Sequence, residues 1–322
     1  MLMCAWRGHY RYVFGPTNPF STIEKRNVLL NTTTIPMPPL KFVDLCCGIG
    51  SFHHSLAAEG MECVMACDID PSARKTYKAN HGIEPLGDLY AIDPAAVPPF
   101  DVCCAGFPCQ PFSNAGQHMG FEDTRGVLFF QIMKLVHHHK PKYLFFENVP
   151  ALLSHDGGKT FAVITHTMQE AGYEVAYTKV TCSDYGIPQM RKRVLLVGVR
   201  DGDPMPLLDF QRFEHETTMS EYLGKPFEKK VAYTIRCGGR GSPYGNKHNW
   251  DGYVVNGVDT RLTLEDGLRL QGFPAGFELV GSVSDKWHQL GNTIPTVFTR
   301  MLAKNLTQAQ PAPPQPGAQS PA

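Results

Sequence analysis

Three cysteines fall within "DVCCAGFPCQPFSNAG", Asp101 to Gly116, and only one of them stands in a turn. Cys103 and Cys104 lie in an apolar run and read as strand core, where a thiol is a small inert hydrophobe. Cys109 sits between Pro108 and Gln110, in a polar turn that Pro108 and Pro111 stiffen. It could be buried filler, half of a disulfide, a metal ligand or a nucleophile. A nucleophilic thiolate needs nearby cations or hydrogen bonds to lower its pKa. Downstream, "YLFFENV" ends an apolar strand on Glu147 and Asn148, and "GIPQMRKRVLLVGV" supplies Arg191 and Arg193. The arginines are two residues apart, and so share a face if a strand begins there. Alone, Glu147 reads as a surface cap and the arginines as a solvated strand start. Together, thiol, carboxyl and guanidinium converge on one sheet edge, which favours a reactive site.

Other uses of the thiols have less support. Ten cysteines in 322 residues do not make a disulfide scaffold. The pairs Cys46-Cys47 and Cys103-Cys104 lie on apolar segments, neighbours rarely bridge each other, and no C-x-x-C pair offers zinc ligands. The run His137-His138-His139 points its side chains in different directions along a helix. It reads as a solvated helix end, where cations are favoured, and no metal is expected. Such cysteine usage suits a reducing compartment. There is no signal-peptide pattern and no apolar run of spanning length, so neither secretion nor a membrane is expected. The expected location is the cytoplasm or its nucleoid, or the cytoplasm or nucleus of a host cell.

A second constellation lies upstream. "FVDLCCGIGSF" reads as strand, Gly-x-Gly turn and helix, with Gly48 and Gly50 letting the backbone turn tightly and approach a ligand. Tight turns need glycine with or without a ligand, so the following segments matter. "ACDID" places Asp68 where a carboxylate can accept hydrogen bonds from ribose hydroxyls, and "PLGDLY" offers Asp88 beside the same crevice. The turn has neither G-x-G-x-x-G spacing nor a G-K-[ST] ending. A dinucleotide or nucleoside triphosphate is therefore disfavoured, and S-adenosylmethionine, which has no phosphate, remains.

These groups need a scaffold that brings them to one edge. From Lys41 to Arg200, apolar strand candidates ("KFVDLCC", "ECVMACD", "DVCCAG", "YLFFENV", "EVAYTKV", "RVLLVGV") alternate with helical stretches at 52–59, 71–80, 127–138 and 160–171. Alternation of this kind predicts an α/β fold with a doubly wound, mainly parallel sheet, buried on both faces. From Asp201 the rhythm breaks into scattered Gly and Pro, which predicts a small irregular lobe over 201–284. Residues 285–308 return to the main domain through a helix at 296–306. Residues 1–40 read as a loosely ordered extension, and the Pro/Ala/Gln tail over 309–322 as disordered.

In order, "DLCCGIGSF", "GFPCQPFS", "ENV", "QMRKRVLLVGV", "RLTLEDGLRLQGFP" and "QLGNTIP" resemble the motifs of the DNA cytosine-C5 methyltransferase family, over roughly Lys41 to Leu306. The likeness is closest to the single-chain enzymes of bacterial and viral restriction–modification systems. It implies a Rossmann-like S-adenosylmethionine-dependent fold with a target-recognition lobe, acting as a monomer on double-stranded DNA, beside a cognate restriction endonuclease. By resemblance Cys109 attacks C6 of a flipped-out cytosine, Glu147 holds the N3/N4 edge, Arg193 binds O2 and Arg191 supports the site. Gln110 and Asn148 complete the reactive group. Cofactor contacts map onto Asp44, Gly48, Ile49 and Gly50, then Asp68, Ile69, Asp88 and Leu89. Gly106, Pro108, Leu128 and Asn292 close that set. The loop from Gln110 to Gly126 resembles a mobile cover with Gly116 and Gly120 as hinges, and Ser113 and Arg125 are implied DNA contacts. Two positions depart from the family: Cys46 and Ile69 stand where many relatives carry aromatics. Phe52 or Phe107 are the candidates to compensate. The tRNA-methylating branch, with "PPCQPF" and a Cys-Phe-Thr signature, fits less well, because this chain reads "GFPCQPF" and lacks Cys-Phe-Thr. A catalytically silent DNA-binding homologue is the rival from another class.

Net charge is zero, from 30 basic and 30 acidic residues, but its distribution is uneven. From Lys225 to Trp250 there are six Lys or Arg and one acid, a basic region able to meet a polyanion. "YTIRCGGRGSPYGNKHNWDGY" supplies Arg236 and Arg240 as candidate guanine readers and Lys247 as a candidate phosphate contact. Trp250 reads as the core of this segment rather than as a contact.

Overall fold

Six apolar segments form one sheet: β1 (Lys41–Leu45), β2 (Glu62–Cys67), β3 (Val102–Gly106), β4 (Tyr143–Asn148), β5 (Tyr173–Thr181) and β6 (Lys192–Arg200). In this computed structural model the order is β2-β1-β3-β4-β6-β5. The first four strands run parallel, and β6 runs against both of its neighbours. All six residues of β4 are buried, as its unbroken apolar run requires at the middle of a two-faced sheet. β5 lies on the edge, with Glu174, Tyr177 and Lys179 exposed and Tyr173 and Val180 buried. Described are residues 38–108, 128–200, 208 and 210–309, all within the unit Pro38–Pro313. Cys109, Gln110, Ser113, Gly116, Gly120 and Arg125 lie outside them, as do residues 1–37 and the tail beyond Ala309.

Helices α1 (Ser51–Ala58), α2 (Pro71–His81), α3 (Leu128–His139) and α4 (Lys159–Glu170) separate the strands, and α8 (Thr296–Ala309) returns at the end. One sheet face is covered by α3 and α4 through Phe129, Met133, Ile164 and Met168. The other is covered by α1 and α8 through Phe52, Leu56, Phe298 and Leu302. The sheet is thus wound on both sides, as the alternation predicts. Cys103 and Cys104 are fully buried on β3, and burial pushes both thiols up, in keeping with inert core. The described cysteines are all free. His137 and His138 are exposed at the end of α3, whereas His139 turns back and its Nε2 meets the Pro94 carbonyl at 2.8 Å. Among the described residues there is no metal-binding cluster, and no helix is long and apolar enough to cross a membrane.

Among the described residues beyond β6 there is no further parallel strand. The chain forms α5 (Met219–Leu223), the hairpin β7 (Gly252–Val255) and β8 (Val258–Arg261), then α6 (Leu264–Leu270) and α7 (Val283–Asn292). The hairpin turns on Asn256-Gly257, both with positive φ (51° and 73°), the pair best suited to a two-residue turn. Trp250 is fully buried and its Nε1 donates to the Gly238 carbonyl at 2.8 Å. It joins Tyr253, Phe273, Trp287 and Leu290 in a core that reaches Ile49 and Ala73.

Candidate active site

The carboxyl ends of β1, β2, β3 and β4 open on one cavity of ≈ 720 Å³, within the range of small-ligand sites. Because β6 is antiparallel, its start rather than its end arrives at this edge, and Arg193 lines the cavity beside Glu147 and Asn148. Cys46, Gly48, Asp68, Ile69, Asp88, Leu89, Gly106, Pro108, Leu128 and Asn292 line it too. Asp44, Ile49 and Gly50 do not. Asp44 is buried beneath the turn, accepting the His53 amide at 3.3 Å, and burial holds its pKa well above the usual range. Ile49 sits in the core, and Gly50 begins α1.

Asp68 shapes the turn as well as facing the cavity. Its Oδ2 accepts the Gly48 amide at 2.7 Å and its Oδ1 the Asp70 amide at 2.8 Å. Burial raises the pKa of this carboxyl, while those two amides pull it back. Asp88 Oδ1 accepts the Tyr90 amide at 2.9 Å. Each carboxylate oxygen has two lone pairs, so both side chains keep capacity for a ligand hydroxyl. Gly48 and Cys46 hold left-handed backbone, φ 53° and 51°; for cysteine this is uncommon and marks a constrained site.

At the other end of the cavity, Glu147 Oε1 and Arg193 Nε approach to 2.5 Å, with both side chains nearly buried (9% and 12% exposed). The approach is not aligned as a hydrogen bond, so Oε1 retains accepting capacity. Burial raises the Glu147 pKa, opposed by the guanidiniums of Arg193 and Arg191. Asn148 Nδ2 donates to the Phe107 carbonyl at 2.8 Å, and its Oδ1 accepts the Val149 amide at 2.9 Å. Asn148 thereby ties the end of β4 to the residue two before Cys109. Arg191 turns away from the cavity and is buried. It donates to the carbonyls of Ile235, Gly291 and Thr293 at 2.8, 2.9 and 2.7 Å, tying the residue before β6 to the segment around Ile235 and to the C-terminal end of α7. Burial lowers its pKa to about 9.

The residues present fit S-adenosylmethionine. Two carboxylates suit hydroxyls and a positive sulfonium, and Arg193, the one Lys or Arg among the described lining residues, is already paired with Glu147. Ile69 (72% exposed) and Tyr90 (46%) offer apolar surface where Cys46 is small. Of the two aromatics expected to compensate, Phe107 lines the cavity and Phe52 is in the core. Tyr90 is missing from the sequence reading, although it adjoins Asp88 and Leu89.

Between β6 and β7, Arg236 and Lys247 are exposed and line one groove with Lys229, Tyr233, Tyr244 and Asn246. Arg236 Nη2 also donates to the His248 carbonyl at 3.0 Å. Arg240 lies outside that groove, 3.8 Å from buried Asp251 and over the Trp287 ring.

A doubly wound sheet with Asp68 and Asp88 lining a cavity at its carboxyl edge, beside a buried Glu–Arg pair, is that of an S-adenosylmethionine-dependent methyltransferase. Residues 40–236 match the C-5 cytosine-specific DNA methylase family. The chain is 36% identical to the Type II methyltransferase M.NgoBI of Neisseria gonorrhoeae, over 79% of this chain and 89% of the relative. To M.HhaI of Haemophilus parahaemolyticus it is 32% identical, over 83% and 94% of the two chains. In fold it resembles the Entamoeba histolytica methyltransferase EhMeth, with a TM-score of 0.63 at 16% identity over 84% of this chain and 98% of that one. The chain belongs to the C-5 cytosine-specific DNA methylase family and is an enzyme of that class.

Proposed function

We propose that this chain flips a cytosine out of duplex DNA and methylates its C5 within a short specific sequence, with Cys109 as nucleophile and Glu147 and Arg193 holding the base. The observation that carries this reading is the buried Glu147–Arg193 pair, set against the strand end that leads through Phe107 and Pro108 to Cys109. C5 of cytosine is a poor nucleophile until C6 is attacked. Addition of the Cys109 thiolate forms an S–C6 bond and moves the ring's π electrons onto C5. Glu147, whose raised pKa favours the acid form, donates its proton to N3, while its other oxygen accepts from N4. The Arg193 guanidinium donates to O2 and stabilises the charge that develops there. When bound, S-adenosylmethionine supplies the methyl group. Loss of the C5 proton to water then re-forms the C5–C6 double bond and breaks the S–C6 bond, expelling the thiolate, while the N3 proton returns to Glu147.

Asp68 and Asp88 hold the cofactor, Arg236 and Lys247 contact DNA in the lobe, and Arg240, Ser113 and Arg125 are further DNA contacts in this reading. The enzyme acts as a monomer in the cytoplasm or on the nucleoid, beside a restriction endonuclease of the same specificity. Support for that setting comes from the relatives, which are named Type II methyltransferases. Bisulfite sequencing of a plasmid recovered from cells expressing the chain tests the proposal. Methylated cytosines should fall in one short sequence, and a plasmid without them, or methylation of tRNA in its place, would refute it.

A further inference from the structure

Helix α2 holds the cofactor turn from behind, through contacts that no step above uses. Gly50 has φ 89°, and a Cβ placed on it would run into the His81 imidazole and the Tyr77 ring, so these two rings fill the space under the turn. His81 Nε2 lies 3.3 Å from the Ile49 carbonyl oxygen, which can only accept, so the ring carries its proton on Nε2 and donates it. Burial pushes the His81 pKa down to about 4, which keeps the ring neutral. Behind it, His81 stacks on His53 with centroids 4.2 Å apart. His53 is fixed in turn by a 2.7 Å bond between Nδ1 and the buried Tyr77 hydroxyl. None of the three rings lines the cavity, yet Gly48, two residues before Gly50, does. α2 is itself anchored, Thr76 Oγ1 donating to Gln289 Oε1 of α7 at 2.9 Å.

We propose that His81 is a positioning residue for the cofactor: its Nε2–H grips the Ile49 carbonyl and so holds the Gly48–Gly50 turn in its ligand-binding position. The inference rests on reading the cavity as the S-adenosylmethionine site. Without the donor the Ile49 carbonyl loses its partner and the turn relaxes away from the ligand-binding position, although the cavity wall keeps every residue that touches the ligand.

The test is calorimetric titration with S-adenosylhomocysteine of the parent, of His81→Phe (ring without donor) and of His81→Gln (donor without ring), with a melting curve for each. His81→Phe should melt close to the parent and bind the ligand roughly five- to ten-fold more weakly, the effect of one lost hydrogen bond. Its Kd for duplex DNA without cofactor should be unchanged, and His81→Gln should recover most of the ligand affinity. A folded Phe variant that binds as tightly as the parent overturns the proposal. If the Phe variant does not fold, the Gln variant decides: near-parental affinity supports the proposal and a loss as large as ten-fold overturns it. A parent that fails to bind S-adenosylhomocysteine sinks the cofactor reading itself, and is recognisable because the failure precedes any substitution.

Discussion

Arg193 meets Glu147, Nε to Oε1 at 2.5 Å, because β6 runs against β4, pairing Leu195 with Glu147 and Val194 with Asn148. A parallel β6 would have placed Arg193 at the opposite edge of the sheet. The reversed strand therefore brings a guanidinium to the one buried carboxyl at the carboxyl edge of β4. The pair is poised rather than neutralised: burial pushes Glu147 towards the acid form and two guanidiniums hold it back.

Replacing Glu147 by Gln should lower kcat by about 10²-fold or more, as expected for loss of a positioned acid, while the Kd for S-adenosylhomocysteine stays near that of the parent. Replacing Arg193 by Leu removes a cation that lowers the Glu147 pKa. The acid form then persists to higher pH, so the alkaline limb of the kcat–pH profile should move up even as kcat falls. A limb that stays in place in Arg193→Leu would separate that limb from Glu147.

Arg191 is a different kind of residue. Its three carbonyl partners belong to segments far apart in sequence, so Arg191→Ala leaves them unpaired in the interior and should cost about 3–5 kcal/mol. Lysine lacks the planar fork and should recover little of this. Urea unfolding measures both, and a loss under 1 kcal/mol for Ala would contradict the clamp.

Tyr90 should carry the stacking surface that Cys46 and Ile69 do not. Tyr90→Ala should weaken S-adenosylhomocysteine binding by about 0.5–1.5 kcal/mol in a calorimetric titration, and Cys46→Phe in that background should restore part of it. No change on Tyr90→Ala would leave Phe107 as the aromatic contact.

His53 makes stability depend on pH. Burial, with His81 and His54 nearby, lowers its pKa from 6.5 to about 3. The unfolded chain therefore binds a proton that the folded chain refuses, so stability is full above pH 6.5 and is lost as pH falls from there towards 3. Between pH 7 and pH 5 this amounts to roughly 2 kcal/mol. The groups facing His53 are Asp44 on β1, His54 on α1, and Tyr77 and His81 on α2. Asp44, with its raised pKa, acts in the opposite sense and is retained in both proteins compared. Melting curves should show a smaller loss between pH 7 and pH 5 for His53→Phe than for the parent. An equal loss would move the effect elsewhere.

The six strands and the α/β rhythm were legible because each strand is an apolar run bounded by turn residues. Strand direction was not, since an apolar run reads the same either way, and the reversal of β6 decides where Arg193 lies. Glu147 and Asp68 could be placed at the cavity from their positions at strand ends, and Asp88 from the segment that follows in chain order, where it caps the turn at Leu89–Ala91. Arg191 and Arg193, two apart, suggested a common face, but Arg191 precedes the strand and turns to the lobe. The Asn256-Gly257 pair between "YVV" and "VDTR" was a hairpin signal that the irregular composition around it concealed. Tyr90 and His81 carried no signal, because what makes each matter is a neighbour supplied by another element.

The proposed function turns on covalent attack by Cys109 on a cytosine held by Glu147 and Arg193. It is tested most directly with a duplex carrying 5-fluorocytosine at the site found by bisulfite sequencing. Fluorine at C5 cannot leave as the proton does, so in the presence of S-adenosylmethionine the S–C6 bond should persist. The parent should form a denaturation-resistant protein–DNA adduct that peptide mapping places on Cys109, and Cys109→Ala should form none. Methylation of ordinary DNA without any such adduct, or an adduct mapped to another residue, would contradict it.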